Sequence, residues 1–159
     1  MIKLVDAYDY KKEIKALFTE YTNMLIEGDE SFKAYLEIQN YDHELENLEE
    51  KYGRPWGRLY IVFYKDSLAG CIGLRKIDDT TCEMKRLYVK PEFRKKGIGE
   101  HLVKKIIIDA GETGYSKMRL DTLPFLEAAT KIYKKYGFRE IPCYNNSPMD
   151  NSIYMQLDL

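Results

Sequence analysis

At 159 residues the chain has the length of one compact domain, 1–159, and its length gives no reason to divide it. Lys and Arg number 25 against 26 Asp and Glu, so there is no global positive field to hold nucleic acid. Hydrophobic residues reach 45%, enough for a core without a metal or disulfide staple, and no apolar run approaches the roughly 20 residues of a membrane-spanning helix.

Charge is nonetheless unevenly placed. Glu27 to Glu50 is mostly acidic and Lys85 to Lys105 mostly basic, and a local basic patch on a neutral protein suits a small polyanion better than a duplex. Cys71, Cys82 and Cys143 have no metal-like spacing and read as reduced thiols. With no signal-peptide pattern at the N-terminus, a soluble cytoplasmic protein without a metal is the expectation.

In chain order, Met1–Val5 reads as an edge strand. Tyr10–Ile26 carries Ile14, Leu17, Phe18, Tyr21 and Leu25 at helical spacing, which predicts an amphipathic helix. Phe32–Leu48 has the same spacing at its start and predicts a second. Gly53, Pro55 and Gly57 mark a loop that carries Trp56. The period then changes. Leu59–Tyr64 and Leu68–Ile77 form a hairpin about Lys65–Asp66, and Cys82–Val89 is a third strand that Pro91 ends. Gly97–Ala110 is the clearest helix, with Ile98, Leu102, Val103, Ile106 and Ile107 on one face. A strand at Lys117–Thr122, a helix at Pro124–Tyr136 with Gly137 past its end, and strands at Phe138–Ile141 and Ile153–Leu157 complete the chain. Strand, helix, strand from Cys82 to Thr122 predicts one parallel, right-handed unit in a sheet otherwise mostly antiparallel.

Chemistry concentrates where Leu87-Tyr88-Val89 is followed by Arg94-Lys95-Lys96-Gly97-Ile98-Gly99 at the start of that clearest helix. A helix start offers unpaired N–H groups and the positive end of the macrodipole. Glycines admit a bulky anion to the backbone, and three basic side chains add formal charge. The combination suits a pyrophosphate. The glycine spacing matches neither G-x-x-x-x-G-K-[ST] nor G-x-G-x-x-G.

Downstream stands Ala128-Ala129-x-x-Ile132-Tyr133-x-x-Tyr136-Gly137-Phe138. With it the chain resembles the GNAT superfamily of N-acetyltransferases, in motif over its last half and in element order over its first. The resemblance implies a mixed α/β (α+β) fold, a mostly antiparallel central sheet with a splayed parallel pair, flanked by helices. It implies acetyl-CoA as co-substrate, with Leu87, Tyr88 and Val89 pairing the pantetheine arm like an added strand. Arg94, Lys95, Lys96, Gly97, Ile98 and Gly99 fall on the pyrophosphate signature. Tyr133 falls where many members place the acid that protonates the departing thiolate, and Glu83 where some place a general base. Many members carry an asparagine seven residues before the tyrosine; here that position is Leu126.

The implied activity is direct transfer of acetyl to a primary amine, of a small molecule or a peptide, by a monomer or homodimer that binds neither membrane nor nucleic acid. A non-catalytic acyl-CoA sensor is the alternative. An amine of pKa about 10.4 is almost wholly protonated at pH 7, so a site must remove a proton at roughly 4–5 kcal/mol. Direct attack then needs a proton for the thiolate and a donor, a backbone N–H of Tyr88 or Val89, for the oxyanion. Simpler readings stand beside these: an exposed strand residue for Glu83, and core for Tyr133. Lys85 and Arg86 interrupt an apolar strand, so whichever points inward faces a polar cleft. A carboxylate of the acceptor is one group it could bind. The acceptor pocket is expected from the first two helices, the Gly53–Gly57 loop and the Asn145–Ser152 loop.

Overall fold

The computed structural model describes residues 1–159. In chain order the elements are β1 (Ile2–Asp6), α1 (Lys11–Gly28), α2 (Phe32–Ile38), α3 (Tyr41–Glu46), α4 (Leu48–Tyr52), β2 (Arg58–Tyr64), β3 (Ser67–Lys76), β4 (Thr81–Val89), α5 (Ile98–Thr113), β5 (Lys117–Thr122), α6 (Glu127–Lys135), β6 (Arg139–Ile141) and β7 (Ile153–Asp158). All seven strands join one sheet in the order β1-β2-β3-β4-β5-β7-β6, antiparallel at every step except β4–β5. The mixed, mostly antiparallel sheet flanked by helices is the one expected from the sequence. None of the helices is long and apolar enough to cross a membrane.

Two apolar layers hold the sheet. On one face Ile98, Leu102, Val103, Ile106 and Ala110 of α5 pack on Ile72, Leu74, Cys82 and Met84. On the other, Ile14, Leu17 and Phe18 of α1 pack with Tyr52 on Leu59, Ile61 and Cys71. The β2–β3 hairpin turns through Lys65 and Asp66, both at positive φ (48° and 67°), the two-residue loop whose twist matches that of the strands.

Three boundaries differ from the periodicity reading. The helix predicted over Phe32–Leu48 is broken into α2, α3 and α4, because Asn40 takes a left-handed conformation (φ 56°) and Asn47 leaves the helical region, as asparagine tolerates better than most residues. The helix α6 begins at Glu127, not Pro124, since Leu123–Leu126 forms a turn closed by the Leu126 N–H on the Leu123 carbonyl at 3.0 Å. The helix α5 runs to Thr113 and stops at Gly114, φ 106°, a left-handed C-cap.

The feature that positions the site is a bulge in β4. Register runs Gly73↔Lys85 and Cys71↔Tyr88, so Arg86 and Leu87 together oppose Ile72. Arg86 sits at φ 60°, the extra residue of a bulge that bends and twists its strand. Just ahead of it, after Glu83, β4 parts from β5. The two pair only from Thr81↔Lys117 to Glu83↔Arg119, although β4 continues to Val89 against β3 and β5 to Thr122 against β7. The bulge also resets which face each side chain takes. Cys82 and Met84 lie in the α5 layer and Leu87 and Val89 pack against it, whereas Tyr88 lies in the α1 layer.

A non-glycine residue at positive φ costs on the order of 1–3 kcal/mol unless its surroundings fix it. Here Glu44 does so. Its carboxylate accepts from Arg86 Nε at 3.0 Å and Nη2 at 2.9 Å, and also from Lys51 at 2.7 Å and the Tyr52 hydroxyl at 2.8 Å. Glu44 and Arg86 are 4% and 5% exposed. Replacing Arg86 with Met should therefore leave a buried carboxylate short of its main partner and cost about 3–5 kcal/mol. Chemical denaturation will measure this, and the added change Glu44→Gln should recover part of the loss.

Candidate active site

Where β4 and β5 diverge, a cleft of about 450 Å³ opens. Its floor is the free edge of β4 at Leu87, Tyr88 and Val89, and one wall is the start of α5 at Arg94, Lys95, Gly97, Ile98 and Gly99. The helix α6 supplies Ala128, Ala129, Ile132 and Tyr133 opposite, and Tyr21 and Met24 of α1 close one side. The Lys90 N–H bonds across to the Ala69 carbonyl at 2.8 Å. Strand alternation then aims the Val89 N–H, not that of Tyr88, at the open edge.

At the head of α5 the first helical hydrogen bond runs from the His101 N–H to the Gly97 carbonyl at 3.1 Å. The N–H groups of the residues just before His101 are the unpaired donors of a helix start. Lys95 (φ 62°) and Gly97 (φ 78°) bend the chain so that these donors face one side, and a Cβ on Gly97 would meet no atom within 4 Å. Glycine is required there by its backbone conformation, and the space over it is open for a ligand. Gly99 serves packing instead: its missing Cβ would press on Ile132 Cδ1 at 3.3 Å. The Arg94 Nε donates to the Val89 carbonyl at 3.1 Å, tying strand end to loop. Lys96 is not part of the lining; its ammonium lies 5.3 Å from the Tyr64 ring centre.

Tyr133 is 6% exposed and its ring tilts on Phe138 at 5.7 Å. Its hydroxyl makes no hydrogen bond within the protein, and burial holds it protonated by raising its pKa well above that of an ordinary phenol. The residue lines the cleft and also a narrow inner space of about 30 Å³ shared with Asp121, Leu87, Lys85 and Arg86. Beyond lies a polar cavity of about 410 Å³, bordered by Gln39, Glu44, Lys51, Arg75, Glu83, Lys85 and Asn145.

Glu83 stands in that polar cavity, apart from the lining of the coenzyme cleft. It is 2% exposed, accepts from Arg75 Nε at 2.6 Å and the Tyr144 hydroxyl at 2.5 Å, and has Lys85 Nζ at 3.7 Å. Burial alone would raise its pKa, but Lys85, Arg75 and the Tyr144 hydrogen bond outweigh it and hold the carboxyl down at about 2. A carboxylate so held is a weak proton acceptor, engaged instead by Arg75, Lys85 and Tyr144. Sequence reading missed Asp121, which lies on both the cleft and the inner space. Its Oδ2 accepts from the Tyr35 hydroxyl and from Asn145 Nδ2 (3.2 Å). Tyr35, Gln39 and Glu44 were missed too. An exposed-looking alternation in β5 and two short acidic helices carry no local mark of this.

Comparison with known proteins agrees with the geometry. The Acetyltransferase (GNAT) family matches residues 17–138. An uncharacterised N-acetyltransferase of Schizosaccharomyces pombe is 40% identical over 132 residues, covering 82% of this chain and 81% of that one. An acetyltransferase structure from Streptococcus agalactiae superposes with TM-score 0.76 at 20% identity, covering 99% of this chain and 98% of that one. A GNAT family acetyltransferase of Elizabethkingia anophelis, solved with acetyl-CoA bound, gives TM-score 0.56 at 28% identity over 65% of this chain and 76% of that one. The chain belongs to the GNAT family of acetyltransferases, and it is an acetyl-CoA-dependent enzyme.

Proposed function

We propose that the enzyme transfers acetyl from acetyl-CoA to a primary amine by direct attack, with the coenzyme in the cleft at the β4–β5 divergence. One observation carries this. The free N–H groups at the head of α5 and the unengaged Tyr133 hydroxyl open into the same cleft, on either side of an unpaired strand edge. The pyrophosphate would accept from the N–H groups of Lys95 to Gly99, the pantetheine would run along Leu87–Val89 as an added strand, and the thioester would then arrive near Tyr133. The amine nitrogen attacks the acetyl carbon, an N–C bond forms, and the C–S bond breaks. The thiolate leaves with a proton from Tyr133, which burial keeps protonated, and the proton that the nitrogen sheds as the amide forms returns to the Tyr133 oxygen. A backbone N–H at the open β4 edge, that of Val89 by strand alternation, is the donor available to the oxyanion. Leu126 stands where relatives carry a cofactor-contacting asparagine; it packs against Leu25 and Leu123, so that contact is absent from the scheme.

Three measurements test the scheme. Gly97→Val should weaken coenzyme A binding by calorimetry more than tenfold, because a branched side chain resists φ 78° and fills the space over the donors. Unchanged affinity in a folded variant would remove the pyrophosphate assignment. Tyr133→Phe keeps the ring packing and should lose roughly 10²–10⁴-fold in kcat with little change in coenzyme affinity; full activity would return Tyr133 to the core.

Glu83 provides the third. Its folded pKa lies below its ordinary 4.5, so its contribution to stability is complete above that value and is lost as pH falls from there towards 2. Glu83→Gln should therefore be less stable at neutral pH yet lose less on acidification, by on the order of 3 kcal/mol. The acidic limb of kcat/KM should stay where it is in the parent, since a group titrating near pH 2 cannot set a limb near neutrality.

A further inference from the structure

The bulge in β4 places Lys85 and Arg86 on the same face of the sheet, and the charge beneath that face does not balance. Four cations meet there, Lys51, Arg75, Lys85 and Arg86, and they share two carboxylates, Glu44 and Glu83. Four against two leaves an excess of positive charge that Asp121, acting on Lys85 across the inner space, only partly offsets. Glu50 adds an acid only at the cavity rim, where it is exposed and bonded to His43. Lys85 is 8% exposed, with Gln39 at 2.9 Å and Glu83 no nearer than 3.7 Å. Most telling is the Gln39 side chain. A single neutral amide oxygen accepts from both Lys85 Nζ (2.9 Å) and Arg86 Nη2 (2.8 Å). Between two enclosed cations a negative oxygen is strongly favoured over a neutral one.

The opposite end of the same path carries the complementary charge. Asp121 spends only Oδ2 on Tyr35 and Asn145, leaving Oδ1 without a protein partner beside Tyr133 and Leu87. The narrow inner space bordered by Asp121, Tyr133, Lys85 and Gln39 joins the two ends.

We propose that the acceptor is an amino acid or a similar small zwitterion, its carboxylate held by Lys85 and Arg86 and its ammonium by Asp121. This rests on the acetyl-transfer reading above. The carboxylate would displace or flank the Gln39 oxygen and supply the missing negative charge. The ammonium would dock on Asp121 Oδ1, which takes one proton; the freed amine attacks the thioester, Tyr133 protonates the departing thiolate, and the second proton that the nitrogen loses as the amide forms returns to the Tyr133 oxygen, so protons balance. A plain alkylamine would leave the excess positive charge uncompensated and is disfavoured for that reason.

The experiment compares the L-amino acids with their primary carboxamides as acceptors, in steady state with a thiol-detecting reagent, alongside calorimetry of acetyl-CoA binding. At least one amino acid should exceed its amide in kcat/KM by about tenfold to hundredfold, the contribution of one charge-assisted hydrogen bond. Lys85→Met should bring that ratio towards one by raising KM for the acid. Because that variant disturbs a packed cluster, Gln39→Glu serves as the second. It installs a fixed carboxylate between Lys85 and Arg86, so it should raise the melting temperature while raising KM for amino acids at least tenfold. Asp121→Asn should lower kcat at least tenfold while leaving acetyl-CoA affinity by calorimetry unchanged. Turnover confined to amines lacking a carboxylate, no turnover of any amino acid, or a ratio unmoved in both Lys85→Met and Gln39→Glu would overturn the inference alone. Failure to bind acetyl-CoA would instead overturn the reading beneath it.

Discussion

The ion pair between Arg86 and Glu44 is the interaction on which the rest of the molecule turns. A strand residue at φ 60° is unfavourable by itself, and a guanidinium inside a sheet face is more so. Each difficulty is relieved by the other. The left-handed turn at Arg86 brings its fork to Glu44, and the two bonds at 2.9 and 3.0 Å hold the turn in place. The Cys71 thiol adds a weak donor to the Arg86 carbonyl at 3.3 Å. The bulge lies where β4 has already left β5 after Glu83, and the cleft opens between two strands that start paired and end apart.

The same bulge divides the sheet chemically. Above β4 the α5 face stays apolar, and the head of α5 lies at the cleft with its donors unspent. Below it lie the charged groups, mostly buried, four cations sharing two carboxylates and the Gln39 amide oxygen. Such a network costs desolvation that its internal attractions only partly repay. An apolar filling of the same volume would be at least as stable. Its persistence beneath the one break in the sheet is what a binding surface demands and a core does not.

Half of this organisation is legible in the sequence. The head of α5, the Arg94–Gly99 run and Tyr133 announce themselves because each lies within a few residues of its neighbours on a strand–loop–helix or helix–turn path, where local rules apply. The strands of the hairpin and of β5 and β7 follow from period and turn residues. The breaks in Phe32–Leu48 do not, since the pattern stays helical through Gln39 and Asn40 and only the left-handed conformation of Asn40 shows the stop. The surroundings of Glu83 are equally hidden from the sequence. Its position along β4 is right for a base, but its proton affinity is set by Arg75, Lys85 and Tyr144, which come from β3, β4 and the Asn145 loop's edge. No one-dimensional reading sees the sum of those fields.

The contrast reflects a physical difference between the two halves of the site. A pyrophosphate is recognised by backbone N–H groups and a dipole, which any helix start supplies, so the requirement reduces to glycine and a few cations in one short run. An acceptor is recognised by charges at fixed separations, and those are set by tertiary packing. Here they come from α2 (Gln39 at its end), α3 (Glu44), α4 (Lys51), β4 (Lys85, Arg86) and β5 (Asp121). Changing any one shifts the field by a charge or a few ångströms without touching the coenzyme cradle. The split of the second predicted helix into three short ones is therefore more than a boundary error. It is the break at Asn40 that lets Gln39 and Glu44 both reach Arg86, and so it ties the least regular stretch of the chain to the acceptor site proposed above.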